Sequence, residues 1–198
     1  MSTPSESKFV ELVRSWLVSL PHDLKIAFDA MDDENLPRPV RELATGVVIH
    51  VVTPKDAAAT NDAIAAFADD AVLLRLALHK GLEKGEDEQA FRDRFPELFD
   101  ELDDSLKLCR SMIGPELMGW LEQKIASLRT VSYKGKKAAK YLDDAEAREQ
   151  LFDDGLVFRT DYPVDEKTIG DKLKKAATII DTMKKIRAEE ARAKGISA

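Results

Sequence analysis

The sequence predicts an all-α fold, a compact bundle of seven to nine helices around a buried central helix pair. Three observations lead there. Apolar residues recur at three- and four-residue spacings over most of the 198-residue chain. Two stretches, Val47–Val52 and Ala71–Leu78, are apolar on nearly every side, as buried helices are. The composition is rich in Ala, Leu, Glu, Asp and Lys, and only Leu156–Val164 has the β-branched and aromatic texture of a strand.

In chain order, residues 1–6 read as a frayed tail. From Ser7, Phe9, Val10, Val13, Trp16, Leu17 and Leu20 mark a first helix that Pro21 should end, with His22–Met31 as a short second one. DDENLPRP is loop chemistry. The next helix runs from near Pro39 to Val52 and stops before Pro54. Thr60 or Asn61 can cap a short helix through Phe67. Asp69 and Asp70 then open the second buried helix, where carboxylates meet the positive end of the helix dipole, and Gly81 and Gly85 mark its end.

Glu83–Asp104 carries ten acidic side chains against three basic, yet Phe91, Phe95, Leu98, Phe99, Leu102, Leu106 and Cys109 keep helical spacing. Pro96 kinks or restarts that helix, and Gly114-Pro115 is a stop and a start. Leu117, Trp120, Leu121, Ile125 and Leu128 form one apolar face. Thr130–Gly135 reads as loop, Lys136–Leu142 and Ala145–Phe152 as short helices, and Leu156–Val164 as extended loop. A final helix capped by Asp165 or Thr168 carries the stripe Ile169, Leu173, Ala176, Ile180 and Met183, and Arg187–Ala198 should fray.

The chain divides by charge into an acidic part, 1–114, and a more basic part, 115–198, expected to pack as one unit. Residues 1–120 hold 23 acidic and 13 basic side chains, and residues 121–198 hold 14 and 17. The net charge of −7 disfavours nucleic acid and an anionic membrane surface as partners. No apolar run approaches the roughly 20 residues that span a bilayer. The start has no signal-peptide pattern, and the single Cys109 builds no disulfide framework, so a cytoplasmic setting is expected.

Two groups of residues invite a chemical role. The carboxylates Asp56, Asp62, Asp69 and Asp70 lie around a Pro54-x-Asp56 turn and a helix start. They are expected to cap helices and to pair with Arg75, Arg38 or Arg41, with no cofactor. As a hard-cation site they would support a metal-dependent hydrolase built near Asp56 and Asp69, the alternative from a different class. The second group is basic: Arg129, Lys134, Lys136, Lys137 and Lys140, bracketed by Tyr133 and Tyr141. It offers an anion-binding face, with nucleic acid as a third reading and a solvated surface as the plain one. His22, His50 and His79 fall in no metal-ligand spacing, although His79 and Glu83 share a helix face. Cys109 sits at an apolar helical position and reads as a buried, inert thiol.

The order of an apolar helix, Thr53-Pro54-Lys55-Asp56, a connector, Phe67-Ala68-Asp69-Asp70-Ala71 and a second apolar helix resembles the YkvA-like family of bacterial domains. The resemblance covers residues 36–82. Ala58-Ala59-Thr60 stands where that family has Ile-Pro-Asp, and Ala66 where it has glycine. The family brings no established chemistry. The sequence therefore reads as a non-catalytic interaction or regulatory protein, an adaptor that holds a protein partner or a second copy of itself. The Lys134–Lys140 face and the C-terminal apolar stripe are the surfaces expected to hold that partner.

Overall fold

A computed structural model describes residues 2–54, 64–80, 86–162 and 166–193, and among them nine α-helices and one small hairpin. Helix α1, Pro4–Asp32, is one continuous element rather than a tail and two helices. Its start follows from a capping box that the expected frayed tail overlooked. The Thr3 amide donates to Glu6 Oε2 at 2.6 Å, and the Glu6 amide donates back to Thr3 Oγ1 at 3.2 Å. Pro4 occupies the first turn, where its missing amide proton costs nothing. Pro21 does not end the helix, because another group serves the carbonyl that its absent N–H leaves behind: the Tyr162 hydroxyl donates to Leu17 O at 3.0 Å.

Helices α2, Arg38–Val52, and α3, Ala68–Lys80, form the expected buried pair, with a 3-10 turn at Ala65–Phe67 leading into α3. Every residue of α3 from Ala68 to Leu78 is buried, including Asp69, Asp70 and Arg75. Gly46 lets α2 approach the end of α5 closely: a Cβ there would lie 2.2 Å from the Leu128 carbonyl oxygen. The expected cap at Thr60 or Asn61 and the glycines 81 and 85 lie outside the described residues.

Helix α4, Glu86–Arg94, and a 3-10 turn at Pro96–Leu98 precede the long α5, Leu102–Leu128. Phe91 meets Phe95 and Phe99 with ring centres 5.1 and 5.9 Å apart. At Gly114 the backbone of α5 leaves the helical region (φ 81°, ψ 168°) and Pro115 restarts it, as the Gly-Pro pair predicted. The expected loop at 130–135 contains a ribbon instead: β1, Ser132–Tyr133, pairs antiparallel with β2, Lys136–Lys137, across a Lys134-Gly135 turn with both φ positive.

Helix α6, Ala138–Asp143, leads to α7, Ala145–Asp161, which runs nine residues past its expected end at Phe152 and absorbs most of the stretch read as extended loop. Gly155 explains the miss. Inside α7 it lets the helix lie on Phe28, whose ring would stand 2.4 Å from a Cβ. Tertiary packing there overrides the β-leaning residues that follow. The expected single last helix is broken into α8, Glu166–Lys172, and α9, Ala176–Ala193. Arg14 from α1 holds the break, donating from Nε to Leu173 O at 2.7 Å and from Nη2 to Gly170 O at 2.9 Å. Helix α9 continues to Ala193 where fraying was expected.

One buried apolar cluster runs from Phe9 to Met183 and so draws on both charge-defined parts of the chain. The C-terminal stripe packs on it: Ile169, Leu173, Ala176 and Met183 are buried, as is Ile179 beside them, and Ile180 is partly buried against the cluster. That stripe is thus occupied largely by the protein's own core. Among the described residues no helix is long and apolar enough to cross a membrane.

Candidate metal centre

His50 lies in the last turn of α2, and Asp69 and Asp70 lie in the first turn of α3. The chain returns so that the end of one central helix faces the start of the other. The placement of the aspartates suits the helix dipole, which favours carboxylates at an N-terminus. His50 Nε2 stands 3.1 Å from Asp70 Oδ1, with the carboxylate fully buried and the imidazole 20% exposed. One ligand atom from each of His50, Asp69 and Asp70 falls within 4.8 Å of the others. That spacing allows all three to reach a single ion.

The second half of α5 closes the centre from another side. Lys124 Nζ lies 3.2 Å from Asp69 Oδ2 and 2.7 Å from Glu190 Oε1 of α9. The same ammonium sits 4.1 Å from the centre of the Trp120 ring, and the Trp120 indole donates to Glu190 Oε2 at 3.0 Å. Trp120 and Lys124 are one helical turn apart, so one face of α5 supplies both. Phe67, just before α3, meets Tyr162 edge-on at 5.0 Å. Burial pushes the Tyr162 hydroxyl above its ordinary pKa, and the negative charges of Asp70 and Asp23 push it further. It therefore stays protonated and available to donate to Leu17.

The residues singled out from the sequence divide. Asp56 and Asp62 lie outside the described residues. Asp69 and Asp70 come together as expected of a helix start, but their expected arginine is engaged elsewhere. Arg75 Nη2 pairs with the buried Asp23 Oδ2 at 2.6 Å, donates to Ser19 Oγ, and reaches Leu98 O through Nη1. Burial raises the Asp23 carboxyl, and Arg75 pulls it back. Arg38 binds Asp143 with both terminal nitrogens at 2.9 Å, and Arg41 donates to Met31 O. Lys124, a residue that the sequence did not single out, pairs with Asp69.

The basic cluster is not a bare positive face. Lys134 pairs with Asp154 at 2.8 Å, and Asp144 lies 3.5 and 3.9 Å from Lys136 and Lys140. Tyr141 donates to the Tyr133 carbonyl at 2.6 Å, bracing the hairpin. Lys137 is exposed, and Arg129 is half-buried at the end of α5. The basic residues that face acids here belong to a surface ion-pair network, which reduces the field that an anion would meet.

His79 pairs with Asp103 at 2.9 Å, and its proposed partner Glu83 lies outside the described residues. Cys109 is fully buried, and burial raises its pKa to about 12. His50, Lys124, Glu190 and Trp120 are the residues that reasoning from spacing missed. All four stand on helices other than the one that carries the aspartates, Lys124 lying 55 residues from Asp69, and no periodicity links them. No family model, curated protein or solved structure matches this chain.

Proposed function

We propose that the protein is a non-catalytic helical binding protein that takes up one divalent cation at His50, Asp69 and Asp70. The observation that carries this reading is the convergence of an imidazole and two fully exposure-free carboxylates within 4.8 Å. Adjacent buried carboxylates are strong, acceptor-only oxygen ligands, and an imidazole beside them completes a donor set suited to a divalent ion. One nitrogen and two oxygen donors suit Mn²⁺ or Zn²⁺ better than Ca²⁺, which prefers an all-oxygen shell.

A hydrolase at the same centre has less support, because both carboxylates are fully buried and the described residues present no nucleophile or substrate-sized opening beside them. A regulatory or adaptor role fits a centre that ties α2, α3, α5 and α9 together. The resemblance to the YkvA-like family belongs to this reading, carried by Asp69-Asp70 opening α3 after an apolar α2. So does a cytoplasmic setting, supported by a lone cysteine held as a buried thiol.

The test is a thermal melt with Mn²⁺, Zn²⁺, Mg²⁺, Ca²⁺ or EDTA. An ion at a hundred times its dissociation constant stabilises by about 2.7 kcal/mol, or roughly 5–10 °C for a chain of this size. Mn²⁺ or Zn²⁺ should raise the midpoint, and Asp70→Asn should abolish the rise. Equal midpoints in all five conditions would overturn the reading.

A further inference from the structure

We infer that Lys124 is a tethered cation that a divalent ion must displace from Asp69, and that this displacement tightens the hold on α9. The inference rests on the cation reading above and adds its regulation. The chain itself places a positive charge against the centre. Lys124 Nζ touches Asp69 at 3.2 Å, its side chain is only 12% exposed, and so the ammonium is seated in the centre and not waving in solvent.

The same ammonium has a second home within its reach. Glu190 Oε1 stands closer, at 2.7 Å, and the Trp120 ring lies beneath the charge at 4.1 Å. A divalent ion bound by Asp69 would repel the ammonium at close range in a poorly screened setting. A small movement of Nζ away from Asp69 leaves it on Glu190 and over the indole, two partners that keep it charged. Asp69 and Glu190 now share one ammonium. After displacement Glu190 has it alone.

Glu190 lies near the end of α9, and its other carboxylate oxygen already accepts from the Trp120 indole. Arg187, one turn earlier, pairs with Glu116 of α5. The last turns of α9 are half-buried and held to α5 by these ionic and polar contacts, unlike the buried Ile179 and Met183 nearer its start. Uptake of the ion and docking of this segment are then coupled, and each favours the other. Lys124 also sets the affinity, since the ion competes with a charge that cannot diffuse away.

Mn²⁺ binding by calorimetry on wild type, Lys124→Gln and Lys124→Arg tests the competition. Removing the charge should tighten Mn²⁺ binding tenfold or more, and Lys124→Arg should stay near wild type. Wild type that binds Mn²⁺ while Lys124→Gln binds no tighter would overturn the inference and leave the cation reading standing. No binding of Mn²⁺ or Zn²⁺ by any of the three would overturn both. Should Lys124→Gln fail to fold, hydrogen exchange on wild type decides. Amides of residues 184–193 should exchange more slowly with Zn²⁺ than with EDTA, and unchanged or faster exchange would overturn the coupling.

Discussion

The Tyr162 hydroxyl donates to the carbonyl of Leu17 at 3.0 Å, the carbonyl that Pro21 would have served as the fourth residue along. A proline inside a helix removes one amide donor and crowds that same carbonyl. Here the lost bond is replaced from α7's end, 145 residues away in sequence. Helix α1 stays whole because a distant side chain supplies what its own backbone lacks.

Tyr162→Phe should therefore cost about 1–3 kcal/mol, the penalty of a buried carbonyl left without its donor. Pro21→Ala should restore a local amide to Leu17 and remove most of that cost in the double variant. Urea melts of the two single variants and the double would check it. Additive losses would mean that the two residues do not share this carbonyl.

The Asp23–Arg75 pair, with side chains 5% and 9% exposed, sits where neither charge can be left alone. Asp23→Ala should cost about 3–5 kcal/mol by stranding the Arg75 guanidinium. Replacing both, Asp23→Leu with Arg75→Met, should recover much of the loss, because an apolar pair needs no compensation. Denaturant midpoints of the three variants decide between a stabilising pair and one that is merely satisfied.

Gly46→Ala and Gly155→Ala should differ in severity although both place a Cβ within 2.5 Å of a neighbour. At Gly46 the neighbour is the backbone of Leu128, which cannot turn aside, whereas at Gly155 it is the Phe28 ring, a side chain that has rotamers to try. Overpacking costs of order 1–3 kcal/mol where a neighbour yields and more where it does not. Phe28 is stacked on Phe152 at 4.7 Å, so Gly155→Ala should still be felt. A Gly46→Ala variant as stable as wild type would show that α2 and α5 can separate at no cost.

Cys109 should resist thiol reagents in the native protein at pH 8 and react at a rate set by unfolding. Its folded pKa of about 12 stands above the ordinary 9.0, because burial disfavours the thiolate. The unfolded chain thus loses this proton first, and the stability tied to the thiol is complete below pH 9 and declines as pH rises towards 12. Labelling with a chromogenic disulfide across a urea series checks the first point. Fast labelling without urea would place Cys109 nearer the surface.

Much of this architecture was legible from spacing alone. The apolar runs of α2 and α3, the acidic pair that opens α3 and the Gly114-Pro115 restart are local signals, and each names its own structure. The break between α8 and α9 was not legible, because Arg14 imposes it from the far end of the chain. Nor was the full length of α7, since Gly155 reads as a helix breaker until Phe28 is seen to need the space. The centre divides the same way. Asp69 and Asp70 stood out as a motif, while His50, Lys124 and Glu190 join them only through the packing of α2, α5 and α9.

Helix α1 also constrains the order of events when the chain is made. It is synthesised long before its partners, for the carbonyls that bind Arg14 belong to Gly170 and Leu173, 156 and 159 residues later. The partner for Leu17, Tyr162, emerges almost as late. Until then Phe9, Val13, Leu17 and Leu20 have no complete enclosure, and the ribosome carries a nascent helix with an open apolar side. Contacts this distant slow folding and leave intermediates prone to association. A nascent chain stalled before residue 160 should therefore depend on chaperones far more than one stalled after residues 162–173 have emerged.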